Sequence, residues 1–166
     1  MQRIDREFVR SVMPVRDPAG HKGTFGKVYL LGGSVGYTGA PVLCAAGAVR
    51  SGCGLVLLGV PETVWPIAAG KCLCAMPHPL PEQEGRLSPD AETEIRRRMA
   101  GCDAAAIGCG LGRSEGSDAL VRSLLTAELP LVLDADGINA LAGHIDTLSC
   151  RRERITVLTP HDGELA

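Results

Sequence analysis

The side chains most able to do chemistry in this sequence fall into four short clusters, each just downstream of an apolar run. After Leu31 comes Gly32-Gly33-Ser34-Val35-Gly36-Tyr37-Thr38-Gly39-Ala40, a glycine-dense turn that feeds a helix start. The free N–H groups of such a turn can hold an anion, and the missing side chains at Gly36 and Gly39 let a flat cofactor approach the main chain. The segment has neither the GK[ST] of a Walker loop nor GxGxxG spacing, and a merely tight strand-to-helix turn is the competing account. After Ile107, Gly108-Cys109-Gly110-Leu111-Gly112-Arg113 sets glycines at i, i+2 and i+4. That spacing suits a ligand lying across Gly110 and Gly112, or simply a flexible loop.

The third cluster, Asp134-Ala135-Asp136-Gly137-Ile138-Asn139, follows Leu133. Carboxylates two apart at a strand end could orient a substrate hydroxyl or meet Mg²⁺ through water, and Asn139 adds a polar contact nearby. Asp136 reads equally well as a helix cap; Asp134 does so less, because one short helix needs one cap. In the fourth, Thr159-Pro160-His161-Asp162-Gly163-Glu164, an imidazole and a carboxylate stand three positions apart in an expected first helical turn and so face the same way. His161 and Glu164 are ligand or acid/base candidates, although a lone histidine is more often structural.

Elements must exist to hold these clusters at one place. Lys27 to Leu31, Leu55 to Val60, Ala104 to Ile107, Leu131 to Leu133 and Ile155 to Leu158 are short β-type runs, mostly apolar on both faces. Parallel strands covered by helices on two sides have that pattern, which favours βαβ units over a sandwich. Between the first two runs, Thr38 offers a cap, Pro41 a helix-start proline, and Val42, Ala45, Ala46 and Val49 recur at helical spacing until Gly52. Ala91 to Met99 and Asp118 to Leu125 read as further helices. The proline-rich stretch Met76 to Pro89 is expected to be an irregular surface excursion.

Composition narrows the function classes. Apolar residues make up 45% and charged residues 22% of 166 residues, which is globular, and the net charge of −2 gives no nucleic-acid footprint. The basic clusters Arg96 to Arg98 and Arg151, Arg152, Arg154 read as solvated faces. Met1 to Arg10 has no signal-peptide core, and no apolar run reaches the roughly 18 residues of a membrane helix, so a cytoplasmic protein without a membrane partner is expected. The seven cysteines lack disulfide-framework spacing and read as reduced, buried thiols. Cys72, Cys74 and His78 lack the paired spacing of a structural zinc site.

Together and in order, HKGTFGKVYLLGGSVGYTGAPVLCAAGAVRSGCGLV, AAAIGCGLGRS, PLVLDADGINAL and TVLTPHDGELA resemble the NAD(P)H-hydrate dehydratase family from His21 to Ala166. Each motif is weak alone and the conjunction is specific. Cys109 departs from the proline the family usually places between these glycines, which loosens the turn. The resemblance implies a ribokinase-like α/β fold, a mostly parallel sheet with helices on both faces and an active site at the strand carboxyl ends. It implies return of hydrated NADH or NADPH (S epimer) to NAD(P)H, with ADP or ATP as phosphoryl donor and Mg²⁺ assisting. On the matching positions it implies that Ala40, Gly110 and His161 contact the hydrated dinucleotide, with Asn139 beside them. Glu164 stands where related kinases carry the acid of an Asn-x-x-Glu motif, and Asp134 and Asp136 join it as catalytic candidates; no residue is assigned as a direct metal ligand.

The family continues with a lysine-containing nucleotide segment and a Gly-Thr-Gly-Asp motif whose Asp is the expected base; neither occurs here. Thr159-Pro160 should open a helix close to the last residue. Residues 1–166 are therefore expected to be the N-terminal portion of a single ribokinase-like domain whose C-terminal part is missing, and the intact protein is expected to be a homo-oligomer. The competing functions are a small-molecule, vitamin-precursor kinase of the same superfamily, and a non-catalytic fragment that only binds nucleotide.

Overall fold

Apolar side chains alternating between two faces close these runs into a six-stranded sheet in the computed structural model, which describes residues 3–165. In chain order the elements are α1 (Arg6–Val12), β1 (Lys27–Leu31), α2 (Gly39–Arg50), β2 (Leu55–Pro61), α3 (Trp65–Lys71), β3 (Met76–Leu80) and the two-residue strands β4 (Glu82–Gln83) and β5 (Arg86–Leu87). A 3₁₀ turn (Pro89–Ala91), α4 (Glu92–Met99), β6 (Ala104–Ile107), α5 (Glu115–Leu124), β7 (Leu131–Leu133) and α6 (Asp136–Asn139) follow. A second 3₁₀ stretch (Ile145–Arg151), β8 (Thr156–Leu158) and α7 (Asp162–Leu165) complete the order.

The sheet runs β3-β2-β1-β6-β7-β8 with every neighbouring pair parallel, which is the expected α/β class. Alternate residues of its strands enter separate cores. Leu30, Val56, Leu58 and Val60 pack with Ala45 of α2 and Ala68 of α3 on one face. Tyr29, Leu31, Ile107, Leu131 and Leu133 pack with Ile95 and Met99 of α4 and with Leu120, Val121 and Leu124 of α5 on the other. Helices on both faces are thus required to cover strands that are apolar on both sides. Among the described residues no helix is long and apolar enough to cross a membrane.

Several local expectations are corrected. Met76 to Pro89 is not an irregular excursion: β3 is an edge strand of the main sheet, and β4 and β5 form a small hairpin. The prolines fit because alternate residues point their amide groups to opposite edges, so Pro77 and Pro79 both lack their N–H on the outer side. The Pro77 carbonyl, on that side, accepts from Trp65 Nε1 at 3.1 Å. Pro41 is the third residue of α2, not its first, and the Thr38 hydroxyl makes no capping bond. The helix expected at Thr159-Pro160 starts at Asp162 instead. α1 and α3 have no counterpart in the sequence reading: α1 buries no residue and α3 buries only Ala68, so neither shows a helical apolar stripe. The cysteines are free as expected but not buried; Cys74 and Cys150 are exposed and the other five half-buried.

Buried polar groups under β3 explain another histidine. Tyr29 Oη and His78 Nε2 are 3.1 Å apart beneath the edge strand, and the zinc reading of Cys72, Cys74 and His78 has no support, since no metal-holding cluster exists among the described residues. Burial, then the positive field of Arg98 on α4, pushes His78 down from 6.5 to about 4. The folded state therefore holds His78 neutral while the unfolded chain takes up a proton between those values. The sign is that stability is full above pH 6.5 and falls as the pH drops through 6.5 towards 4. The expected loss is at most about 3 kcal/mol, read as the gap between the urea-unfolding profiles of wild type and His78→Asn. Parallel profiles over that range would show that His78 titrates normally.

Candidate binding face at the strand carboxyl ends

Successive strands β1, β2 and β3 build outwards in one direction, and the chain then returns to the other side of β1 with β6. The winding reverses between β1 and β6. In open parallel sheets the crevice beyond the carboxyl ends at such a reversal is where ligands bind, because the two following loops diverge there. The loops are Gly32 to Thr38 and Gly108 to Ser114, the first two glycine clusters.

Hydrogen bonds lock these loops together. Gly33 N donates to Cys109 O at 3.0 Å, and Ser34 Oγ, almost fully buried, donates to Gly110 O at 3.0 Å. Gly110 sits at φ +65°, and a Cβ there would lie 2.8 Å from Ala40 Cβ and 3.0 Å from Tyr37 O. Ala40 and Gly110 are therefore neighbours, as their shared candidate role requires. Gly110→Val should therefore damage the fold as well as any ligand space, because the turn is packed against Ala40 and Tyr37 at this glycine. Gly112 (φ +72°) is similarly tight, with Ser34 Oγ 2.8 Å from the position of a Cβ. Gly36 (φ +92°) and Gly39 are different: no atom lies within 4 Å of a Cβ at either, so both border open space.

The acidic cluster attaches to the same framework. Asp136 Oδ2 accepts from Gly112 N at 2.9 Å, and its Oδ1 lies 3.4 Å from Asn139 Nδ2. Asp136 is the first residue of α6, and the capping position, Ala135, makes no side-chain cap. Of the two readings of Asp136, cap or functional acid, the cap is thus absent and the carboxylate instead ties α6 to the neighbouring glycine turn. Asp134 accepts from the Thr159 hydroxyl at 2.7 Å through Oδ1 and from Cys109 Sγ at 3.2 Å through Oδ2. Ala135, between them, has φ +47°, a strained conformation for a residue with a Cβ, and it splays the two carboxylates towards different partners.

His161 caps α7: its Nδ1 accepts from Gly163 N at 3.0 Å, and its own N–H donates to Glu164 Oε2 at 3.0 Å. With Nδ1 an acceptor, Nε2 carries the proton and lies 3.1 Å from Glu164 Oε1. The Glu164 side chain is 8% exposed whereas that of His161 is 73% exposed, so the imidazole is the group presented outwards. Among the described residues no hydrogen bond joins this pair to Asp134 or Asp136; the link runs through Thr159 at the end of β8. Ser34 and Thr159 are the residues that sequence reasoning missed. Thr159 directly follows β8 and Ser34 stands three residues beyond β1, and a hydroxyl near a strand end is the only signal either carries.

No three His, Cys, Asp or Glu side chains converge as a cation site among the described residues. Asp134 and Asp136 keep lone pairs for water-mediated contact, which suits a cation borne by phosphates better than a protein cage. A separate cleft of about 260 Å³ between α2 and α3, lined by Val42, Val49 and Leu73, lies away from all four clusters and is not part of this face.

Comparison with known proteins identifies the family. Residues 28–166 match the family described as NAD(P)H-hydrate dehydratase. A bifunctional NAD(P)H-hydrate repair enzyme of Salinibacter ruber is 44% identical over 159 residues, covering 94% of this chain and 29% of that protein. The ADP-dependent (S)-NAD(P)H-hydrate dehydratase of Bacillus subtilis is 38% identical, covering 95% of this chain and 52% of its own length. The crystal structure of a Bacillus subtilis ADP/ATP-dependent dehydratase, co-crystallised with ATP/Mg²⁺, superposes with a TM-score of 0.69 at 34% identity over 96% of this chain and 52% of that one. A ribokinase-like protein of Enterococcus faecalis gives a TM-score of 0.81 at 21% identity, a likeness of fold alone. The chain thus spans about half the length of the dehydratases and less than a third of the bifunctional enzyme.

Proposed function

Since this chain belongs to the NAD(P)H-hydrate dehydratase family, we propose that it provides the dinucleotide-facing part of an enzyme that returns hydrated NADH or NADPH (S epimer) to NAD(P)H, using ADP or ATP with Mg²⁺. The observation that carries the reading is the single hydrogen-bonded framework at the winding reversal, which joins Ser34, Gly110, Gly112, Asp136, Cys109, Asp134 and Thr159.

The chemistry makes demands that this framework suits. Hydroxide is a poor leaving group, whereas a phosphorylated hydroxyl departs readily as phosphate when pushed by the ring-nitrogen lone pair, and loss of the proton on the adjacent ring carbon to a base then restores the double bond. Protein work is then positioning and charge neutralisation. Ala40 and Gly110 offer a side-chain-poor wall for a flat ring, with the open space at Gly36 and Gly39 beside it. His161, held by Glu164, offers an Nε2–H towards a hydroxyl or phosphate oxygen. Asp134 and Asp136 would orient that hydroxyl, and bound Mg²⁺ would neutralise phosphate charge.

Calorimetric titration of the purified chain with hydrated NADPH tests the reading. Saturable binding is expected, and His161→Ala should weaken it about tenfold, equivalent to about 1.4 kcal/mol, with little change in the unfolding midpoint. Absence of saturable binding would remove the proposed substrate; equal binding by wild type and His161→Ala would remove His161 alone.

A further inference from the structure

We propose that Cys44 and Cys109 form a reversible, peroxide-driven disulfide that fastens the Gly108–Gly112 turn to α2. The geometry begins with Ala40, whose side chain stands against Gly110. Cys44 lies one helical turn further along α2, on the same face, and Cys109 precedes Gly110 in the turn. Both thiols are free and half-buried, and Cys109 Sγ donates to Asp134 Oδ2 at 3.2 Å. The thiols also sense each other: hydrogen bonding with Cys109 lowers the Cys44 pKa, and the same contact, followed by burial, raises that of Cys109. Cys44 is therefore the nucleophile and Cys109 the resolving thiol.

In the first step the Cys44 thiolate attacks one oxygen of hydrogen peroxide. The S–O bond forms as O–O breaks, and the departing hydroxide takes the former thiol proton and leaves as water. In the second step Cys109 passes its proton to the Asp134 carboxylate while its sulfur attacks the sulfenic sulfur of Cys44. The S–S bond forms as S–O breaks, and the departing hydroxide recovers the proton from Asp134 as a second water. Two thiols are oxidised, two hydrogens are lost, and one peroxide is reduced to two waters.

Mass spectrometry of the native chain after limiting peroxide and alkylation tests this directly. The expected product has lost two hydrogens, and trypsin should release Val28–Arg50, whose only cysteine is Cys44, linked to Met99–Arg113 through Cys109. Dithiothreitol should restore two alkylatable thiols. Cys109→Ser should abolish the link and leave a dimedone-reactive sulfenic acid on Cys44, and Asp134→Asn should slow the second step about tenfold. Alkylation of both cysteines after peroxide, or a link through Cys102 in place of Cys109, would overturn the proposal.

Discussion

Gly108→Ala is expected to destabilise the chain by at least about 4 kcal/mol, which for a domain of this size lowers the thermal midpoint by about 10 °C or more. Two causes act together. The backbone at Gly108 has φ +129°, a region that only glycine visits freely. An added Cβ would also overlap the Asp134 carbonyl oxygen and approach Gly137 N to 2.6 Å, so both obstacles are backbone and no side chain can rotate away. Those two atoms bond each other in the turn that follows β7, Gly137 N donating to Asp134 O at 2.8 Å, and the same turn is tied to the end of β6 by Asp134 N donating to Ile107 O at 3.0 Å. Forcing them apart must also move Asp134, so ligand binding should fail with stability. Gly36→Ala is the control: it shares a positive φ but meets no atom within 4 Å, and should cost only about 1 kcal/mol. A urea midpoint for Gly108→Ala within the range of Gly36→Ala would show that the two turns are not in backbone contact.

The close approach at Gly108 also marks the limit of what the sequence reveals. β1, β6 and β7 are readable residue for residue because their apolar runs end abruptly in glycine or aspartate, and β2 differs only by including Pro61. β3 is not readable, because prolines signal irregular structure in any scheme that does not know the strand lies at an edge. α5 begins at Glu115, earlier than its apolar stripe suggests, because Ser114 and Ser117 cap each other and add a polar first turn.

The candidate site divides in the same way. Residue types and their position after strands identify all four clusters, since ligand-bearing backbone must be poor in side chains and catalytic carboxylates must stand at strand ends. Which atoms those groups bond is a matter of three-dimensional register. Asp136 looks like a cap in one dimension and holds Gly112 in three; Thr159 looks like a cap and holds Asp134. Gly110 and Gly112 look like ligand space and are largely loop-packing contacts, whereas Gly36 and Gly39 border the open space. Glycines that pack loops and glycines that border open space look alike in the sequence, and only distances separate them.

Arg151→Met is expected to cost about 4 kcal/mol, although the residue reads in sequence as part of a solvated basic run. In the structure Arg151 is 3% exposed. Its Nη1 donates to Leu125 O at 2.8 Å and Ala127 O at 2.6 Å, its Nη2 to Leu129 O at 2.8 Å, and its Nε to the Thr156 hydroxyl at 2.7 Å. One guanidinium thereby satisfies the carbonyls of the segment leading from α5 into β7 and fastens it to the start of β8. Methionine fills similar volume but removes the near donor of all three carbonyls, leaving only longer contacts from Cys150 Sγ to Leu125 O and from Arg154 Nη1 to Ala127 O, at roughly 1 kcal/mol or more for each bond lost. Lysine should rescue little, because a single ammonium cannot span acceptors that the planar fork reaches together. Arg152→Ala, at an exposed neighbour, should change stability by less than about 0.5 kcal/mol. The effect should also reach the binding face: β8 carries Thr159 to Asp134, so loosening its start frees that carboxylate from its hydroxyl partner. Denaturant unfolding of the three variants, with hydrated-dinucleotide titration of Arg151→Lys at a temperature where it stays folded, separates the two consequences. An Arg151→Met midpoint equal to that of Arg152→Ala would mean that the segment into β7 holds its place without the guanidinium.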